Sequence, residues 1–338
     1  MQANNIINPI KRSYSPDVLG DGFEQLTLAF SNDYEGEVKA TLVRKQSEKQ
    51  TPKAVLYIHG FNDYFFQAQM ANRFNAEGYN FYALDLRKYG RSYMPHQKLN
   101  NVRSLMEYDE DITEALHHIK AEKNEEVILI GHSTGGLTVT YYAGRHLNSD
   151  LFHGVICNSP FYEFNLSVLE RKIGAPILSF LSRYYPNQTI SSGFSRLYGY
   201  SLHHDKYGEW NYSLVWKPHD IPDVTLSFIA AIHQAQNLVQ NTITLNVPLL
   251  VLYSDKTISD KKWSDRFMTG DSVLNVNHIK HYANKIKGDV STCEIKNGMH
   301  DLVLSQKTVR EETYKRVFDW LDQHVNQESY QSEALASG

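Results

Sequence analysis

Residues 127–136 read Val127-Ile128-Leu129-Ile130-Gly131-His132-Ser133-Thr134-Gly135-Gly136, and this stretch decides the fold. VILI is a short, unbroken aliphatic run, the pattern of a strand buried on both faces of a parallel sheet. Gly131 to Gly136 fit G-x-S-x-G and turn that strand into a helix reaching about His146. The glycines permit a tight turn and a close helix–strand approach. In a strand–turn–helix setting the serine stands above the sheet at a helix N-terminus, where a nucleophile is placed. Without that setting, a Gly-Ser-Gly turn is an ordinary or phosphate-binding loop.

Working outward, the same rhythm recurs on both sides. Upstream are two strand candidates at 24–30 and 37–44, then the run AVLYI at 54–58, ending at His59-Gly60. A helix is expected from about Asp63, with Phe66, Met70 and Phe74 four residues apart and Gly78 as its stop. A strand at 81–84 and a helix over 102–123 lead into VILI, and a further strand is expected at 155–157. The rhythm fails from Pro160 to Asn246, a stretch rich in large aromatics with one helical segment at 224–239. It returns with VPLLVLY at 247–253, a helix carrying Ile279, Tyr282, Ala283 and Ile286, a strand at 291–295 and a helix at 309–325. Alternating short strands and helices predict an α/β fold, a mostly parallel central sheet with helices on both faces. The core is expected over 20–159 and 247–326, with 160–246 inserted as a mostly helical cap and 327–338, QESYQSEALASG, as a disordered tail.

A serine hydroxyl needs a base to take its proton. His300, in Asn297-Gly298-Met299-His300-Asp301, lies between the last strand and the last helix. The order Ser…Asp…His is one in which such triads occur. The acid belongs after PLLVLY, where two aspartates compete. Asp255 comes directly off the strand, and Asp271 stands before the helical run SVLNVNHIKHYANKI. The oxyanion needs two backbone N–H donors. One is expected from Thr134, the other from Phe61 in the loop after AVLYI.

Composition excludes other classes. The chain has 338 residues, 41% of them apolar and 21% charged, enough for a packed core. A net charge of −4, with no long run of either sign, leaves no footprint for nucleic acid or anionic membrane. No stretch is apolar enough to span a bilayer, and residues 1–20 lack the apolar run of a secretory signal. Cys157 and Cys293, in apolar strand-like runs, read as buried thiols in a cytoplasmic protein. The fifteen histidines show no metal-ligand spacing; the pairs His117/His118 and His203/His204 read as surface. No cofactor or metal is expected, and no dinucleotide or phosphate-loop motif is present. Arg87, Lys88 and Arg91 read as structural. A homo-oligomer remains open.

The motifs HGFND (59–63), DLRKYGRS (85–92), GHSTGG (131–136), DSVLNV (271–276) and GMHDL (298–302) resemble those of the monoglyceride lipase/lysophospholipase group of α/β-hydrolases, also described as serine aminopeptidase-like. The resemblance covers most of 50–325. It implies the α/β-hydrolase fold, places the catalytic acid in a D-x-V-L-x-V pattern matched by Asp271, and gives Phe61 of the HG motif its oxyanion role. The loop ahead of Asp271 is long, and the cap carries little of the group's pattern. The expected function is a serine hydrolase acting on small carboxylic esters with an apolar acyl chain, such as monoacylglycerols or lysophospholipids. Two alternatives are an aminopeptidase-like hydrolase, with Glu163, Glu170, Asp205 or Glu209 as amine-binding groups, and a non-catalytic ligand-binding protein on the same scaffold.

Overall fold

The computed structural model describes residues 13–325, so the expected C-terminal tail lies outside the described residues. The core strands and helices run in chain order: β1 (Ser15–Pro16), β2 (Glu24–Ala29), β3 (Lys39–Lys45), β4 (Lys53–Ile58), α1 (Ala68–Ala76), β5 (Asn80–Asp85), α2 (Glu107–Ala121), β6 (Glu126–His132), α3 (Thr134–Arg145) and β7 (Gly154–Asn158). The interrupted stretch holds α4 (Ala175–Leu181), the two-residue strands β8 (Thr189–Ile190) and β9 (Val224–Thr225), α5 (Leu197–Leu202) and α6 (Leu226–Asn241). Then come β10 (Leu249–Ser254), α7 (Val276–Ala283), β11 (Val290–Ile295) and α8 (Lys307–His324).

Nine strands form one sheet in the order β1-β2-β3-β5-β4-β6-β7-β10-β11. From β5 to β11 every neighbouring pair is parallel; the β1–β2, β2–β3 and β3–β5 pairs are antiparallel. This is the mostly parallel α/β-hydrolase sheet expected from the sequence. The aliphatic runs become its central strands because both faces are covered: β4, β6, β7 and β10 are buried almost throughout. One apolar cluster joins one face to α2, α3, α6 and α7, and a second joins the other face to α1 and α8.

Helix α1 begins at Ala68, five residues later than the periodicity suggests. The intervening N–H groups find side-chain acceptors instead: Tyr64 N–H donates to Asp63 Oδ1, Phe65 N–H to Asp85 Oδ1 and Phe66 N–H to Gln67 Oε1. Side-chain acceptors of this kind compete with helix. Helix α6, read from the sequence as part of the inserted stretch, packs on α3 and joins the main apolar cluster through Phe228, Ile229, Ile232, Ala235 and Val239. Cys157 on β7 is buried as expected, whereas Cys293, on the edge strand β11, is partly exposed.

The cations of DLRKYGRS are structural, as read. Arg87 pairs with buried Asp111, Lys88 with Asp33 and Glu35, and Arg91 with Asp17 and Asp85. They tie the exit of β5 to the N-terminal loops and α2.

Candidate active site

Ser133 sits between β6 and α3 with φ 54° and ψ −115°, a strained conformation for a residue with a side chain. Its surroundings enforce it. Ser133 N–H donates to Asn158 O at 2.9 Å, and Ser133 O accepts from Leu137 N at 3.1 Å and Phe161 N at 2.9 Å. The turn can be this tight because three glycines lack Cβ atoms. A Cβ on Gly131 would strike the Gly135 carbonyl, one on Gly135 the carbonyls of Ile58 and His59, and one on Gly136 would lie 2.8 Å from Pro160 Cβ. Gly60 does the same for the loop after β4, where an added Cβ would lie 3.1 Å from Ser133 Cβ. That loop carries Phe61 past the serine.

His300 follows β11 and is buried. Its Nδ1 lies 2.9 Å from Asp271 Oδ2. A carboxylate only accepts, so in a neutral imidazole facing it Nδ1 carries the proton and Nε2 keeps its lone pair. The Tyr198 ring of α5 packs edge-on to the imidazole at 5.4 Å, and the His132 ring lies 4.9 Å away. Asp271 is wholly buried, with Oδ1 accepting from Val273 N and Leu274 N, each at 2.8 Å.

The segment Lys256–Gly270 closes on itself. Asp271 N–H donates to Lys256 O at 2.9 Å and Ile258 N–H to Asp271 O at 2.7 Å, so Asp271 stands just beyond the end of β10 despite the long loop before it. The competing Asp255 is turned elsewhere, its Oδ1 accepting from Asn297 N at 2.7 Å.

Ser133, His300, Phe61 and Thr134 line one cleft, open to solvent. One part of its wall is apolar, made by Phe61, Phe161, Phe194, Ile221, Val273 and Leu274. Phe194 packs against both Phe61 and Phe161, with ring centroids 5.8 and 6.3 Å apart.

Behind the serine lies a buried polar group that the sequence did not bring into view. Asp301 accepts from Asn158 Nδ2 at 2.7 Å and Gln67 Nε2 at 3.3 Å, and Asp63 pairs with Lys217 at 2.8 Å. Burial pushes the Asp301 carboxyl up and His132 well down, the latter aided by neighbouring His300. Asp63 and Asp301 stand inside the HGFND and GMHDL motifs, a signal that was present. Lys217 had none.

The acidic residues considered for holding an amine lie elsewhere. Glu163 pairs with Arg171, Glu170 is exposed and caps Ser167, Asp205 meets His204, and Glu209 pairs with Arg310. Among the described residues, His203, His204 and Asp205 come within ligand distance of one another. His203 is buried rather than at the surface, however, and both its ring nitrogens are engaged, one at Tyr212 O and the other at Asp205 N–H. No helix among the described residues is long and apolar enough to cross a membrane.

Solved structures share this architecture. A soluble variant of monoglyceride lipase from Saccharomyces cerevisiae, in complex with a substrate analog, is 16% identical, with a TM-score of 0.65 over 88% of this chain and 94% of its own. A monoacylglycerol lipase from Paleococcus ferrophilus is 19% identical, with a TM-score of 0.62 over 84% and 99%. A thermostable carboxyl esterase from Bacillus coagulans, with glycerol bound, is 14% identical, with a TM-score of 0.63 over 89% and 98%. No curated protein matches the chain. The model of one family, described as serine aminopeptidase S33, matches residues 49–305. With that match spanning most of its length and the sheet order above, the chain belongs to the serine aminopeptidase S33 family of hydrolases and has the α/β-hydrolase fold.

Proposed function

We propose that this protein is a serine hydrolase that cleaves small carboxylic esters with an apolar acyl group. The observation that carries the proposal is the contact between His300 Nδ1 and Asp271 Oδ2, made in the same cleft as the strained Ser133. Ser133 Oγ attacks the acyl carbon while His300 Nε2 takes its proton. Asp271 holds the imidazole in the required tautomer and stabilises its cation. The N–H groups of Phe61 and Thr134 receive the oxyanion. His300 then gives the proton to the leaving alcohol, and a water activated by the same imidazole releases the acid. Phe61, Phe161, Phe194 and Leu274 supply wall for the acyl chain. The segment from Pro160 onward acts as the cap, bringing Phe194, Tyr198 and Lys217 over the site. Monoacylglycerols and lysophospholipids are the natural candidates to test.

The aminopeptidase reading is supported by the family description but not by the cleft. Among the described residues lining it, the one carboxylate is Asp63, already paired with Lys217. The decisive experiment is fluorophosphonate labelling of wild type and Ser133→Ala. It is combined with rates on p-nitrophenyl esters, monoacylglycerols, lysophospholipids and aminoacyl p-nitroanilides. Labelling and ester turnover that both vanish in Ser133→Ala are expected, the rate by about 10⁴-fold or more. Anilides cleaved faster than every ester would favour the peptidase. Absence of labelling and of turnover in the wild type would favour a binding protein.

A further inference from the structure

Three consecutive residues of the loop after β4 each make a polar contact with one short stretch of the cap. Asn62 Nδ2 donates to Pro218 O at 2.9 Å, Asp63 Oδ1 meets Lys217 Nζ at 2.8 Å, and Ser213 N–H donates to Tyr64 Oη at 2.7 Å. The Tyr64 and Trp216 rings meet edge-on at 5.1 Å. Phe61, the residue immediately before these three, carries the N–H assigned above to the oxyanion. The turn between them passes through Asn62 at φ 51°, in the left-handed region, where asparagine is one of the few residues with a side chain that is at home.

The central contact is an ion pair taken almost wholly out of water. The Lys217 side chain is 9% exposed and that of Asp63 1%. Such a pair is a poor source of stability, since desolvation offsets most of the attraction; what it does fix is one arrangement of the groups it joins. The pair is also incompletely satisfied. Among the described residues Asp63 Oδ2 has no hydrogen-bond partner, and neither ring nitrogen of His132, 3.8 Å away at Nδ1, has one. Lys217 lines the cleft itself, beside Asn62, Asp63 and Ser133. A charge whose only task was to hold the cap down would serve better at the rim.

We infer that Lys217 is a positioning residue for the oxyanion hole: by holding Asp63, with the Pro218 carbonyl on Asn62, it fixes the turn that aims the Phe61 N–H above Ser133. The inference rests on the ester-hydrolase reading. It makes the catalytic competence of the core depend on a residue delivered by the cap. Loss of the tether lets the Asn62 turn relax and swings one donor away. Phe161, Phe194 and Leu274, the part of the acyl-binding wall outside this turn, stay in place.

The test compares wild type, Lys217→Met, Lys217→Arg and the neutral double variant Asp63→Asn/Lys217→Met. The readouts are thermal melts, kcat and KM on p-nitrophenyl butyrate, and Ki for a trifluoromethyl ketone, whose adduct with the serine carries an oxyanion. Lys217→Met should lower kcat about a hundredfold, the scale of losing one oxyanion donor, with KM little changed. Its Ki should rise in step with the loss in kcat/KM, and Lys217→Arg should recover most of the lost rate. The double variant leaves no lone buried charge, so it carries the test if Lys217→Met does not fold; it should show the same loss of kcat. Unchanged kcat in a folded variant would overturn the inference, as would a loss confined to KM or a loss of kcat that leaves Ki unmoved. In each of those cases the ester-hydrolase reading survives. A wild type without ester turnover would overturn both.

Discussion

His300 Nδ1 lies 2.9 Å from Asp271 Oδ2, and Asp271 reaches that position because its own backbone, at the end of a closed loop, pairs with Lys256 and Ile258 at the loop's start. The second oxygen of the carboxylate is held by the N–H groups of Val273 and Leu274. The Asp271 carboxylate therefore cannot turn away from the imidazole without losing two further hydrogen bonds.

Asp271→Asn should lower kcat by about 10⁴-fold, because an amide cannot hold the tautomer or stabilise the cation. Asp255→Asn should leave kcat within a few-fold and cost on the order of 1 kcal/mol of stability, through its contact to Asn297 N–H. Steady-state kinetics and urea melts of both variants separate the two roles. A more damaging Asp255→Asn, in folded protein, would move the acid.

The aromatic wall predicts a graded response to acyl length. At about 0.8 kcal/mol per buried methylene, each two-carbon extension should raise kcat/KM about tenfold until the cleft is filled. Acetyl, butyryl, hexanoyl and octanoyl esters of one alcohol provide the series. A steady decline from acetyl would mean that Phe61, Phe161 and Phe194 do not form an acyl pocket.

His59 gives a pH prediction. Its Nδ1 lies 2.8 Å from Gly60 O, and its Nε2 accepts from Leu86 N–H at 3.1 Å, so the ring must be neutral. Burial holds its pKa below the ordinary value. Burial and neighbouring His300 do the same, more strongly, for His132. As pH falls, the unfolded chain binds these protons first. Stability is therefore complete above about pH 6.5 and is lost as pH drops toward the folded values, with a slope of up to about 1.4 kcal/mol per pH unit for each histidine. Urea midpoints should fall between pH 7 and 5.5, less steeply in His59→Gln. A flat wild-type profile over that range would contradict the assignment.

Gly135→Ala tests the turn. The added methyl would collide with the carbonyls of Ile58, the last residue of β4, and of His59 directly after it, and the Ile58 carbonyl cannot withdraw without disturbing the end of β4. A loss of about 3 kcal/mol is expected, seen as a lowered Tm or loss of soluble protein. A variant melting like wild type would mean that the helix can back away from the sheet.

What was legible in the sequence was local. VILI followed by GHSTGG states its own conformation, because aliphatic runs and glycines act on their immediate neighbours. Asp271 became preferable to Asp255 through the DSVLNV pattern; the backbone pairing that closes Lys256–Gly270 joins residues that local periodicity does not connect. Helix α6 carried a correct helical signal, but its docking on α3 is tertiary, so its place in the inserted stretch could not reveal that it packs with the core. Lys217 stayed invisible for a similar reason. A lysine among aromatics reads as surface until a carboxylate from 154 positions earlier is found beside it.

The wide sequence separation of Ser133 from Asp271 and His300 also orders events in time. The serine's turn belongs to β6, whereas its partners follow β10 and β11, which dock on that sheet only through β7. Contacts closing so long a loop are entropically late. During synthesis Ser133 therefore emerges about half a chain length before His300, the base that the proposed mechanism assigns to it. On the proposed mechanism, a nascent or truncated polypeptide ending before residue 300 has the turn without the chemistry, and hydrolytic power arrives only with the last strand and helix.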